Sequence, residues 1–135
     1  MSDIRAIKLV RNLSNQEIDV INYEHPNKPG NHVVVPAGEV MACNMWTPWC
    51  DSQHALDGLN NSTEGTRDDV THYIQMTPHG NSPKQIFQHG SAVFYTTSVR
   101  YDLKVKVNGD AELGKGDYEL IIRANTDLTP EYKKI

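Results

Sequence analysis

Short runs of β-branched and aromatic residues, each closed off by turn chemistry, recur along the whole chain. They are IRAIKLV (4–10), EIDVINY (17–23), HVVVP (32–36), EVMACNMW (39–46), VTHYIQM (70–76), QIFQ (85–88), AVFYTTS (92–98), YDLKVKV (101–107) and YELIIRA (118–124). Between them stand NLSNQ, PNKPGN, PAGE, PHGNSP, HGS and NGDAELGKGD, whose Gly, Pro, Asn and Asp residues fix or tolerate the φ values that turns require. No window carries apolar residues at helical spacing over several turns, and only HALDGLN (54–60) offers a short helical turn. Many short strands at this spacing predict an all-β chain, a single domain over 1–135 built as an antiparallel β-sandwich.

The clearest alternation lies in YDLKVKV. Tyr101, Leu103, Val105 and Val107 form one apolar face, with Asp102, Lys104 and Lys106 on the other. In EVMACNMW the same rule puts Met41, Cys43 and Met45 toward a core, and Val40, Ala42, Asn44 and Trp46 on a mixed face, unless a bulge reverses the phase. In the hairpin around QHGS, Phe87 with Val93 and Tyr95 is expected to face the core, leaving Gln88 and His89 at the turn.

A long polar segment at 47–69, TPWCDSQHALDGLNNSTEGTRDD, interrupts the strand rhythm. Loops of more than about 12–15 residues are uncommon in compact domains and are usually functional or disordered. This one opens on Pro48, Trp49 and Cys50, so its first third is expected to be anchored. Both tryptophans of the chain, Trp46 and Trp49, stand at its start. One reading makes them a carbohydrate platform. The C–H face of a pyranose stacks on an indole while Asp51, Gln53, His54, Asn60 and Asn61 bind its hydroxyls, with Glu64 and Asp68 farther out. The other makes one or both indoles a plug at the end of the sandwich.

Other chemistry is thinly represented. A net charge of −4 with scattered basic residues gives no footprint for nucleic acid. The start, MSDIRAIKLVRN, lacks the pattern of a secretory signal, and no apolar run reaches membrane-spanning length, so the expected setting is the cytoplasm or export by an unconventional route. Cys43 and Cys50 are expected to be free thiols in a reducing compartment, although a chain that folds back after Pro48 would let them pair. Paired zinc-ligand spacing is missing, so no metal ligand is assigned. Asp57, Asn60, Glu64, Asp68 and Asp69 leave a calcium site open, without the spacing of a known loop. None of the specific nucleophile, zinc-protease or phosphate-loop motifs is present, and no catalytic residue is assigned.

In overall character the chain is that of a lectin-like or cytolysin-like sandwich, an analogy at the level of the fold. The expected function is glycan or glycoconjugate binding through the tryptophan-bearing loop, in a protein that forms a homodimer. The alternative is a protein- or membrane-surface interaction module, a toxin or assembly component, in which the tryptophans anchor in a partner. A small metal- or thiol-dependent enzyme stands behind both.

Overall fold

The computed structural model describes residues 4–24, 28–57, 72–80, 82–124 and 127–135. Within them the strands are β1 (Arg5–Asn12), β2 (Ile18–Asn22), β3 (His32–Val35), β4 (Val40–Trp46), β5 (Ile74–Pro78), β6 (Lys84–His89) and β7 (Ala92–Thr96). There follow β8 (Val105–Lys106), β9 (Asn108–Gly109), β10 (Gly116–Ile122) and β11 (Pro130–Lys134), and one short helix, α1 (Gln53–Asp57), lies between β4 and β5. The strands form two sheets, ordered β4-β1-β10-β11-β9 and β3-β2-β5-β6-β7-β8. Ile7, Val10, Leu120 and Ile122 of the first sheet and Ile18, Val20, Met76, Ile86 and Val93 of the second share one buried cluster. Two sheets closing on a common apolar layer are the expected all-β sandwich. Each such aliphatic side chain contributes roughly 1.5–3 kcal/mol by leaving water.

Most neighbouring strands run antiparallel, but β1 and β10 pair in parallel, as do β9 and β11. The first strand of the chain and the last but one therefore lie side by side inside the first sheet, with β11 on the far side of β10. At their edge Arg5 is fully buried, its Nε donating to the Ala111 carbonyl at 2.6 Å.

Two local expectations are corrected. YDLKVKV is not a continuous strand: residues 101–103 form a 3-10 turn, and only Val105–Lys106 pairs with β7. Leu103 is 56% and Val105 51% exposed, and of that apolar row only Val107 enters the core. The break begins at Val99, whose φ of +54° turns the backbone out of strand geometry before the alternation starts. Gln53 grips this kink at both ends, donating to the Val99 carbonyl at 2.8 Å and accepting from the Tyr101 amide at 2.7 Å.

In β4, Met45 is fully buried but Met41 is 38% exposed. The pairing with β1 shifts between Ala42 and Met45, because Leu9 pairs with Ala42 and Ile7 with Met45. Met41 still stands opposite the buried Val10 and Cys43 packs against the inter-sheet cluster, so the expected face is kept. Met41 is left partly open because β4 is the edge strand, and Trp46 points outward.

In the β6–β7 hairpin, Gln88 pairs with Val93 and Phe87 with Phe94, so Phe87 and Val93 lie on opposite faces. Ile86 and Val93 face the inter-sheet core, whereas Phe87 joins a second buried cluster with Cys50 and Leu56. Residues 48–56 thus cover the outer face of the second sheet, and Gln88 and His89 belong to β6 rather than to its turn.

Candidate functional site

The two tryptophans occupy different surroundings because the residues between them are tied inward. Thr47 is buried, and its Oγ1 shares a 2.7 Å hydrogen bond with the Tyr132 hydroxyl. Its amide donates to the Arg5 carbonyl at 2.9 Å. Pro48 then accepts from the Gln88 amide at 2.8 Å, and the Cys50 amide donates to the Gln88 carbonyl at 3.0 Å. By this route the chain crosses from the edge of the first sheet to β6 of the second. It pairs with β6 at Gln88, beyond the Ile74–Ile86 pair at which the β5–β6 ladder ends.

Trp46, 58% exposed, lies at the end of β4 and lines a cavity of about 180 Å³ with Asn22, Glu24, Lys28, Pro29, Asn31 and Asn44. The opposing wall is the turn between β2 and β3. Gly30, with φ of +86°, brings that turn close to β4, and its carbonyl accepts from the Asn44 amide at 3.0 Å. A Cβ at Gly30 would lie 3.1 Å from the Asn44 Cβ, so glycine suits both the backbone angle and the approach.

The polar groups of this cavity divide into those that build it and those left to act. Asn22 is buried; its Nδ2 donates to the Trp46 carbonyl at 3.0 Å and its Oδ1 accepts from the Glu24 amide at 2.9 Å. Glu24 Oε2 lies 3.1 Å from His72 Nδ1, which orients the carboxylate and leaves Oε1 as an acceptor. Asn44 Oδ1 accepts from Lys8 Nζ at 2.7 Å, leaving its Nδ2 hydrogens as donors. Lys28 is exposed on the same turn. An indole face, one carboxylate acceptor, an amide donor and an ammonium donor therefore surround one small cavity.

Trp49, 49% exposed, does not line that cavity. Its ring leans on His89, with centroids 5.7 Å apart, and His89 meets the edge of Tyr101 at 6.4 Å. Tyr101 stacks on Phe87 at 5.5 Å and lies under the Lys104 ammonium, 4.1 Å from its centroid. Burial raises the Tyr101 phenol above its ordinary pKa, and the neighbouring Cys50 and Asp51 charges add to the effect. Asp51 is exposed beside this cluster, whereas Gln53 is engaged by the backbone of residues 99 and 101. His54 lies in α1, but its side chain, like Asn60, Asn61, Glu64, Asp68 and Asp69, lies outside the described residues. Of the residues expected to form one platform, the structure brings Trp49, Asp51 and Gln53 near Tyr101 and places Trp46 elsewhere.

Both cysteines are free. Burial pushes the Cys43 thiol up to about 11 against the opposing influence of Lys8, so it is an unreactive packing residue at neutral pH. Among the described residues, no cluster of three or more His, Cys, Asp or Glu side chains could hold a metal ion, and no helix is long and apolar enough to cross a membrane.

Sequence reasoning singled out Trp46 but named as site residues none of Asn22, Glu24, Lys28, Asn31 and Asn44, which line the cavity with it. The signal was the polar stretch NYEHPNKPGN between two strands. What could not be read was that β3 and β4, in different sheets, would lie together. No protein-family model matches the chain, and no curated protein or solved structure matches it.

Proposed function

We propose that the chain is a lectin-like, carbohydrate-binding protein and that the cavity beside Trp46 is its sugar site. The observation that carries this reading is an exposed indole facing a polar turn across a small cavity, with donors and an acceptor left over after the cavity has built itself. A pyranose presents one apolar C–H face and a ring of hydroxyls that both donate and accept. The indole suits the first and Glu24, Lys28 and Asn44 the second. The cavity, about 180 Å³, is below the roughly 300–1,000 Å³ typical of drug-sized ligands and fits a single ring.

Titration with a panel of mono- and oligosaccharides, followed by tryptophan fluorescence and calorimetry, tests the reading. Saturable binding that Trp46→Ala weakens at least about tenfold, or about 1.4 kcal/mol, supports it. Binding indifferent to Trp46 contradicts it. A second reading, a protein- or membrane-surface interaction module, is favoured by the half-exposed Trp49. It predicts capture on a partner or on vesicles that soluble sugar does not compete away.

A further inference from the structure

Lys84 occupies a position that lysines rarely take. Alternation along β6 puts it on the same face as Ile86, and across the β5–β6 pair it stands opposite Met76. Both neighbours are fully buried core residues, so Lys84 sits in the inward-facing row at one end of the sandwich. It is 3% exposed, yet its side chain makes no hydrogen bond and no ion pair among the described residues. Lysine is seldom so buried, because an ammonium drawn out of bulk water loses much of its hydration.

The side chain lines a cavity of about 350 Å³ with Ser82, Tyr95, Thr97, Leu103, Val105 and Asp127. The cavity connects the amine to solvent over an apolar rim, since Leu103 and Val105 are more than half exposed. Burial lowers the Lys84 amine below its ordinary pKa, and Asp127 opposes that fall. Burial and Asp127 both raise the Tyr95 phenol, which therefore keeps its proton at neutral pH as a hydrogen-bond donor. A desolvated amine, a protonated phenol and an open polar cavity are the elements of a carbonyl-reactive lysine.

We propose that Lys84 is a nucleophilic amine that captures a small aldehyde or ketone in this cavity as a reversible imine. The Nζ lone pair adds to the carbonyl carbon, and the carbonyl π pair passes to oxygen, where the Tyr95 hydroxyl can donate a hydrogen bond. Nitrogen gives up one proton as the carbinolamine forms and a second as the C=N bond forms; the oxygen takes up two in all and leaves as water. Water is the only by-product and no oxidant or reductant enters. The hydroxyls of Ser82 and Thr97 suit a polar substituent, and Leu103 and Val105 a short hydrocarbon one. This site is separate from the Trp46 cavity and stands or falls apart from it.

The test is reductive trapping on the intact, folded chain. The protein is incubated near neutral pH with dilute isovaleraldehyde and cyanoborohydride, which adds hydride to an imine, and peptide mass spectrometry gives the rate at each lysine. The seven other lysines are internal references. Lys84 is expected to be trapped on the order of tenfold faster than their mean, because burial leaves more of its amine unprotonated. Asp127→Asn, which removes the charge that holds the proton on, should raise the Lys84 rate, and Tyr95→Phe should lower it severalfold. In urea the advantage should vanish. Trapping at Lys84 no faster than at the reference lysines, or an advantage that survives unfolding, overturns the proposal. Equal rates in Asp127→Asn and the parent chain would remove the electrostatic part of the argument and with it the assigned cavity.

Discussion

Asn22 Nδ2 donates a 3.0 Å hydrogen bond to the main-chain carbonyl of Trp46, and Asn22 Oδ1 accepts one of 2.9 Å from the amide of Glu24. One buried carboxamide in the second sheet therefore fixes both the aromatic wall of the cavity, which belongs to the first sheet, and its acidic wall. Neither Asp nor Leu at this position could do both, since the first lacks a donor and the second lacks both groups.

Replacing this amide should accordingly be costly. Asn22→Ala leaves the Trp46 carbonyl and the Glu24 amide without their partner and is expected to lower stability by about 1–3 kcal/mol. Sugar affinity should fall with it, because the two walls lose their common anchor. Urea unfolding measures the first effect and calorimetric titration the second.

Gly30→Ala tests the close approach of the turn to β4. A residue with a Cβ must take the left-handed backbone angle there and press on Asn44, at an expected cost of about 1–2 kcal/mol. Gly38→Ala is the control, because its φ of +77° carries the same backbone penalty with nothing within 4 Å of the added carbon. The excess of the first over the second, read from denaturant midpoints, reports the contact alone.

Alkaline pH should weaken the fold. The Cys43 thiol rises from 9.0 to about 11 on folding, so between these values the unfolded chain loses a proton that the native one keeps. Stability linked to this group is complete below pH 9 and declines as pH rises toward 11. Burial also raises the Tyr132 phenol, which acts in the same direction at higher pH. Urea midpoints between pH 8.5 and 11 should fall, and Cys43→Ala should flatten the first part of the fall.

Much of this architecture was legible in the residues, and the exceptions have physical causes. The runs EIDVINY and HVVVP, expected as strands, form β2 and β3 with alternating burial that turns Ile18, Val20, Val33 and Val35 inward. The strand β11 escaped notice because PEYKK reads as a charged tail. Pro130 opens it, where no ladder donor is lost, and Tyr132 alone carries it into the core. The run 101–107 deceived in the other direction, since its perfect alternation follows a kink at Val99 that Gln53 holds from a distance of 46 positions along the chain. At the site, the exposed indole of Trp46 was foreseeable from its phase in β4. Its separation from Trp49 was not, because that depends on Thr47 reaching Tyr132, 85 residues away.

Thr47→Val is the corresponding test of that tie. It leaves the Tyr132 hydroxyl buried without its partner at an expected cost of about 1–3 kcal/mol, whereas Thr47→Val with Tyr132→Phe should recover part of the loss. A double-mutant cycle on unfolding free energies measures the coupling.

The most direct measurement of the central claim uses two single-tryptophan chains, Trp49→Phe and Trp46→Phe, each titrated with saccharides while acrylamide quenching is followed. The account predicts that sugar protects the indole in the Trp49→Phe chain, where only Trp46 reports. In the Trp46→Phe chain, Trp49 should remain as quenchable as before. Protection of Trp49 instead, or of neither indole by any sugar, would contradict it.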